Sequence, residues 1–155
     1  MNFQARVLNC NNTSTEPCNK RKVLEVIAEE ATKIQPELDV GNVMQILLQR
    51  ERLGSTYVGN GIAIPHAKIE QLAQPFLILI HLKNPIPCDE LNEEADLFFG
   101  LLIPEIELSE HLQLLDELIN QLKQADYRTK IRQCKNSDEL IELIEALPVC
   151  NSVSS

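Results

Sequence analysis

Hydrophobic residues divide the chain into helical and extended stretches. Val23, Leu24, Ile27, Ala28, Ala31 and Ile34 recur at intervals of three and four. That spacing predicts an amphipathic helix capped by Asn19 and stopped by Pro36. A second helix is expected from about Asp39, burying Val40, Val43, Met44, Leu47 and Leu48. Arg50 and Arg52 would complement the negative end of its dipole, and Gly54 would terminate it. Ile62-Ala63-Ile64 reads as a short strand. Phe76 to Leu82 and Leu97 to Ile103 are continuous apolar runs, too short for core helices, and they predict strands buried on both faces. Pro85, Pro87 and an acidic turn around Leu91-Asn92-Glu93-Glu94 separate them. Helices are expected again at Ser109, near Asp126 and at Ser137, where Ser137-Asp138-Glu139 supplies a cap and first-turn acids.

The two ends look unlike core-forming sequence. Residues 1–17 carry a small apolar patch (Phe3, Val7, Leu8) and then a polar run, Asn11 to Thr15, which reads as an N-terminal arm with one helical turn or a short strand. Residues 18–148 form the expected domain, and 149–155 a polar disordered tail. A chain of 155 residues has room for one well-packed domain. Helices at both ends of a strand-rich middle place it in the α/β or α+β class.

Composition narrows the possible partners. A formal net charge of −9 argues against nucleic acid, whose phosphates require clustered Lys and Arg. A basic protein surface or a neutral metabolite fits better. The one basic run, Lys20-Arg21-Lys22, reads as a solvated face of the first helix. No stretch reaches the roughly 18 apolar residues of a membrane span and no signal-peptide pattern opens the chain, so a cytoplasmic location is expected. Cys10, Cys18, Cys88, Cys134 and Cys150 are irregularly spaced and are expected to remain thiols.

Chemistry concentrates between Gly54 and Lys68. A loop of glycines and small hydroxyl residues leads through Ile62-Ala63-Ile64-Pro65 to His66. Glycines allow amide N–H groups to converge on an anion, proline fixes the approach to the ring, and Lys68 adds charge. A structural histidine is the competing reading, and the glycines, Arg50 and Lys68 weigh against it. A neutral imidazole is a competent nucleophile at physiological pH and could accept a phosphoryl group. Arg50 could turn its planar fork to phosphate or only complement the helix dipole. Ser55, Thr56 and Asn60 could donate to an anion or close turns, with Gly59 and Gly61 supplying loop freedom. His111, in the first turn of a predicted helix, could be a core-edge histidine or a donor to a phosphoryl group on His66. His81 falls within a buried-strand pattern and reads as structural. The histidine spacing matches no metal motif. The glycine run is neither a P-loop nor a dinucleotide fingerprint, so no cofactor is expected.

The run Arg50-Glu51-Arg52-Leu53-Gly54-Ser55-Thr56, with Gly59-Asn60-Gly61-Ile62-Ala63-Ile64-Pro65-His66 and Lys68, resembles the signature of the IIA components of the bacterial phosphoenolpyruvate phosphotransferase system. Within the fructose/mannitol superfamily the wording is most similar to the nitrogen-regulatory branch, over roughly residues 3–147. The resemblance implies an α/β single domain with a mixed β-sheet flanked by helices. It also implies phosphorylation of His66 by an HPr-type phosphocarrier, with His111 and Arg50 as the other site residues. In that branch the phosphorylation state would be read by regulatory partners such as transporters or sensor kinases. A sugar-permease IIA and a non-catalytic binding module are the alternatives. Tyr57 and Ala67 stand where the family usually has glycine, and the turn at Asn92-Glu93-Glu94 lacks a common proline.

Overall fold

The computed structural model describes residues 1–10, 19–88, 93–106 and 109–151. The polar run after Cys10 and most of the turn before Glu93 fall outside these residues, as does Cys18. Element order is β1 (Gln4–Cys10), α1 (Lys20–Ile34), α2 (Val40–Leu53), β2 (Tyr57–Gly59), β3 (Ile62–Ala63), β4 (His66–Ile69), β5 (Phe76–Pro87) and β6 (Glu94–Pro104). Then follow α3 (Ser109–Gln121), α4 (Ala125–Arg132), α5 (Ser137–Glu145) and the short α6 (Pro148–Asn151).

Among the described residues, six strands form one mixed sheet in the order β1-β5-β6-β3-β2, with β4 following β3 alongside β6. β1 runs parallel to β5, β5 antiparallel to β6, and both β3 and β4 parallel to β6. The apolar runs of β5 and β6 reflect their position between two helical layers. Phe76, Ile78, Ile80, Phe98 and Leu102 pack with α1 and α2. Leu77, Leu79, Leu97, Phe99, Leu101 and Ile103 pack with α3, α4 and α5 through Leu114, Leu118, Ile131, Leu140 and Ile144. Alternate side chains of a strand point to opposite faces, so a strand covered on both sides is apolar throughout.

Helix ends follow local chemistry. Asn19 and Asp39 accept from Lys22 N at 2.8 Å and Asn42 N at 3.0 Å. Asn136, rather than Ser137, caps α5 by accepting from Glu139 N at 3.0 Å. Val40 is more exposed than its helical spacing suggested, because it lies in the first turn of α2.

Several boundaries differ from the sequence expectation. Of the two forms expected for the N-terminal arm the strand holds, and it joins the domain: β1 pairs along its whole length with Phe76 to Leu82. β5 and β6 are longer than their apolar runs, because Ile86 and Pro87 pair with Ala95 and Glu94 beyond a register shift. The irregularity accommodates Pro85 and Pro87 where an uninterrupted ladder would not. Residues 148–151 form a helical turn with Val149 buried and its N–H donated to Glu117 at 2.9 Å.

Gly100 in β6 faces α1 so closely that a Cβ there would lie 2.8 Å from Ile27 Cδ1 and 2.9 Å from its Cγ1. Ile27 is fully buried and, as a β-branched helical residue, has little rotamer freedom. Gly100→Ala should therefore lower stability by about 1–3 kcal/mol, read as a reduced denaturation midpoint without change in m-value.

Candidate functional site

His66 opens β4, three residues after Ala63, and the register on β6 advances by the same three, from Phe98 to Leu101. β3 and β4 are thus one strand interrupted at Ile64-Pro65. Proline has no N–H to give to the ladder, and its carbonyl instead accepts from Leu101 N at 2.9 Å. Alternation holds across the interruption. Ala63, Ala67 and Ile69 face the α1–α2 layer, so His66 and Lys68 face the α3 side with Ile103.

The ring is fixed at both nitrogens. Nδ1 lies 2.8 Å from the Ile64 carbonyl, which can only accept, so the proton resides on Nδ1. Nε2 then carries the lone pair and accepts from Arg50 Nε at 3.3 Å. Arg50 also donates from Nη1 to the Gly54 carbonyl at 2.9 Å, an end-of-helix group otherwise without an intrahelical donor. Burial is the main influence on the imidazole and lowers its pKa below the ordinary 6.5. The Ile64 carbonyl raises it, the Arg50 charge lowers it, and the Glu51 carboxylate raises it. The net result is a neutral ring with Nε2 presented.

His66 lines a cavity of about 610 Å³ between α2 and α3, together with Ile46, Arg50, Leu53, Lys68, Leu112 and Leu115 among others. Two cations and the imidazole thus stand within an apolar wall. Leu53 is 85% exposed and Leu112 43%, so the rim offers apolar side chains to solvent.

The other expected site residues are distributed differently. Gly59, Asn60 and Gly61 do not line this cavity. Asn60 and Gly61 form the two-residue turn of the β2–β3 hairpin, with φ of 56° and 78°. These left-handed values suit a hairpin Asn-Gly turn. The Gly61 carbonyl accepts from Leu97 N, four residues along β6 from the partner of His66, on the order of 13 Å away. The turn is held there by Arg132, whose Nη2 donates to the Asn60 carbonyl at 3.1 Å while Nη1 pairs with Asp96 at 2.6 Å. Glycine spacing alone could not distinguish an anion loop from a hairpin turn. Ser55 is exposed and accepts from Tyr57 N at 3.1 Å, closing a turn. Thr56 is buried and gives its hydroxyl to Glu51.

His111 is buried in the first turn of α3, one residue before the cavity-lining Leu112. Its ring lines a different cavity, of about 620 Å³, with Glu70, Pro104, Glu105 and Glu110. His81 sits 3.8 Å from Asp96, at the hairpin end of the sheet. Tyr57, one of the two departures from glycine, accepts from Gly61 N at 3.0 Å and so pins the hairpin turn. The second departure, Ala67, places its methyl in the α1–α2 core. Sequence reading passed over Glu51. An acid in the last turn of a helix opposes the dipole, and that mismatch was the available signal.

Comparison with known proteins agrees with this architecture. The family described as phosphoenolpyruvate-dependent sugar phosphotransferase system, EIIA 2, matches residues 6–147. The chain belongs to that family, a class of phosphoryl-transfer components. A nitrogen regulatory protein of Pseudomonas aeruginosa is 38% identical over 127 residues, covering 81% of this chain and 82% of that protein. One from Escherichia coli is 34% identical over 137 residues, covering 87% and 83%. The crystal structure of nitrogen regulatory protein IIA-Ntr from Neisseria meningitidis superposes with a TM-score of 0.74 at 26% identity, covering 89% of this chain and 91% of that one. No described helix is long and apolar enough to cross a membrane.

Because burial depresses the His66 pKa, the folded chain binds less proton at this site than the unfolded chain just below pH 6.5. The contribution of neutral His66 to stability is therefore complete above pH 6.5 and is lost as pH falls through the folded value. A proton–nitrogen NMR titration should show an Nδ1–H tautomer at pH 7 and a midpoint below 6.5. His66→Gln should flatten the corresponding part of the stability–pH curve.

Proposed function

We propose that His66 Nε2 accepts a phosphoryl group from an HPr-type phosphocarrier, and that the resulting charge regulates partner proteins of the nitrogen-regulatory kind. The observation that carries this reading is the Nδ1–H tautomer, which leaves the Nε2 lone pair on an open cavity beside Arg50.

In the reaction, the Nε2 lone pair attacks the phosphorus of the donor's phosphohistidine in line. An Nε2–P bond forms as the donor P–N bond breaks, and that electron pair returns to the donor ring. His66 passes no proton. It becomes an N-phosphorylated imidazolium whose Nδ1–H remains on the Ile64 carbonyl. Arg50 exchanges its bond to Nε2 for phosphoryl oxygens, where a planar fork suits the charge, and Lys68 adds a second cation. His111 is assigned as a further donor on the family resemblance alone, since it lines the separate cavity beside Glu110. Exposed Leu53 and Leu112 form the apolar rim against which a carrier seats, excluding water from the transfer.

The phosphoryl group adds about −1.5 to −2 charges at a point where Arg50 and Lys68 previously dominated. A partner recognising the unmodified cationic, apolar cavity would meet the opposite charge afterwards. Kinship with nitrogen regulatory proteins supports regulation as the output, with transporters and sensor kinases as candidate readers.

Incubation with phosphoenolpyruvate, the first enzyme of the phosphotransferase system and an HPr-type carrier should place one acid-labile phosphate on the wild-type chain. His66→Ala should take none, and Arg50→Gln should slow transfer on the order of a hundredfold. Phosphate persisting in His66→Ala would overturn the assignment, and wild-type transfer rates in His111→Ala would remove that residue from the mechanism.

A further inference from the structure

Behind His66 a series of hydrogen bonds leads through two residues to an ion pair. The ring Nδ1–H donates to the Ile64 carbonyl at 2.8 Å. Ile64 N–H donates to the Thr56 carbonyl at 3.0 Å. The Thr56 hydroxyl donates to Glu51 Oε1. Glu51 Oε2 meets Lys20 Nζ at 2.9 Å, and the same ammonium donates to the Cys88 carbonyl. Lys20, expected on a solvated face, is instead drawn against the C-terminal turn of α2.

The ion pair is enclosed: the Glu51 side chain is 7% exposed and that of Lys20 24%. A carboxylate this buried at the negative end of a helix is disfavoured by both desolvation and the dipole. Its Lys20 and Thr56 contacts offset that cost. Between Glu51 and the ring there are only two residues, Thr56 and Ile64, each of which joins one hydrogen bond to the next through its own covalent frame.

Resting on the phosphohistidine reading above, we infer that Glu51 is a positioning residue that sets how readily His66 takes and yields a phosphoryl group. Two effects act together. Through Thr56 and Ile64, Glu51 holds the carbonyl that fixes the ring tautomer. Its charge also favours the imidazolium that exists once Nε2 is bonded to phosphorus. The same field raises the pKa of the unmodified ring. Lys20, 2.9 Å from the carboxylate, offsets part of this field. Arg50, the residue before Glu51, serves the phosphoryl oxygens from the same helical turn. Adjacent residues of opposite sign thus stabilise opposite ends of the product.

The test compares wild type, Glu51→Gln and Lys20→Gln by two readouts. One is the His66 pKa by NMR in the unphosphorylated chain. The other is the ratio of phosphorylated to free chain at equilibrium with a stoichiometric HPr-type carrier. Glu51→Gln keeps an acceptor for Thr56 but loses the charge and the acceptor for Lys20, so both readouts should fall, the ratio about three- to tenfold. Lys20→Gln should raise both. A purely structural ion pair would move the two variants in the same direction or leave both near wild type, and either result overturns the proposal. Should Glu51→Gln fail to fold, the sign of the Lys20→Gln shift decides the matter alone. Absence of phosphate on wild type would reject the phosphohistidine reading, while the pKa comparison would still test Glu51.

Discussion

The hydrogen bond from His66 Nδ1–H to the Ile64 carbonyl is the interaction on which the site depends. It reaches back only two residues, across Pro65. It is possible because the strand is interrupted there while its register against β6 is kept. A regular strand would direct the Ile64 carbonyl into a ladder. Proline removes one donor from the pairing and frees local geometry for the imidazole. One backbone acceptor thereby fixes the tautomer, the ring plane and the outward direction of Nε2.

The remaining architecture supplies this arrangement from two sides. β6, apolar on both faces, carries β3 and β4 and joins the two helical layers. α2 in one layer brings Arg50 to Nε2, and α3 in the other brings Leu112 and Leu115 to the same cavity. The site therefore lies where the two layers meet β4. In a chain of net charge −9, two cations beside His66 create a local field opposite to the average. On the proposed function, covalent addition of a phosphoryl group would reverse that field with no requirement for a large motion.

Much of the fold could be read from periodicity, because the longer elements bury long stripes. The α1 spacing from Val23 to Ile34 and the two apolar runs of β5 and β6 each left one physical solution. β1 was harder to read, since Gln4, Arg6 and Asn9 on an edge strand break up its apolar character. At the site, His66, Arg50 and Lys68 do converge on one cavity. Gly59, Asn60 and Gly61 do not, because a type of turn and an anion cradle demand the same residues. Which of the two forms depends on Arg132 and Asp96, far away in sequence. Glu51 was hidden for a related reason: its partners, Lys20 and Thr56, are recognisable only once the helices are packed.

The central claim is that phosphorus bonds to the nitrogen the backbone leaves free. A long-range proton–nitrogen NMR spectrum of the enzymatically phosphorylated wild-type chain tests it most directly, with phosphorus coupling read at each ring nitrogen of His66. The account predicts coupling at Nε2, with an Nδ1 proton still protected by the Ile64 carbonyl. Coupling at Nδ1, or phosphorus on any other residue, would contradict it.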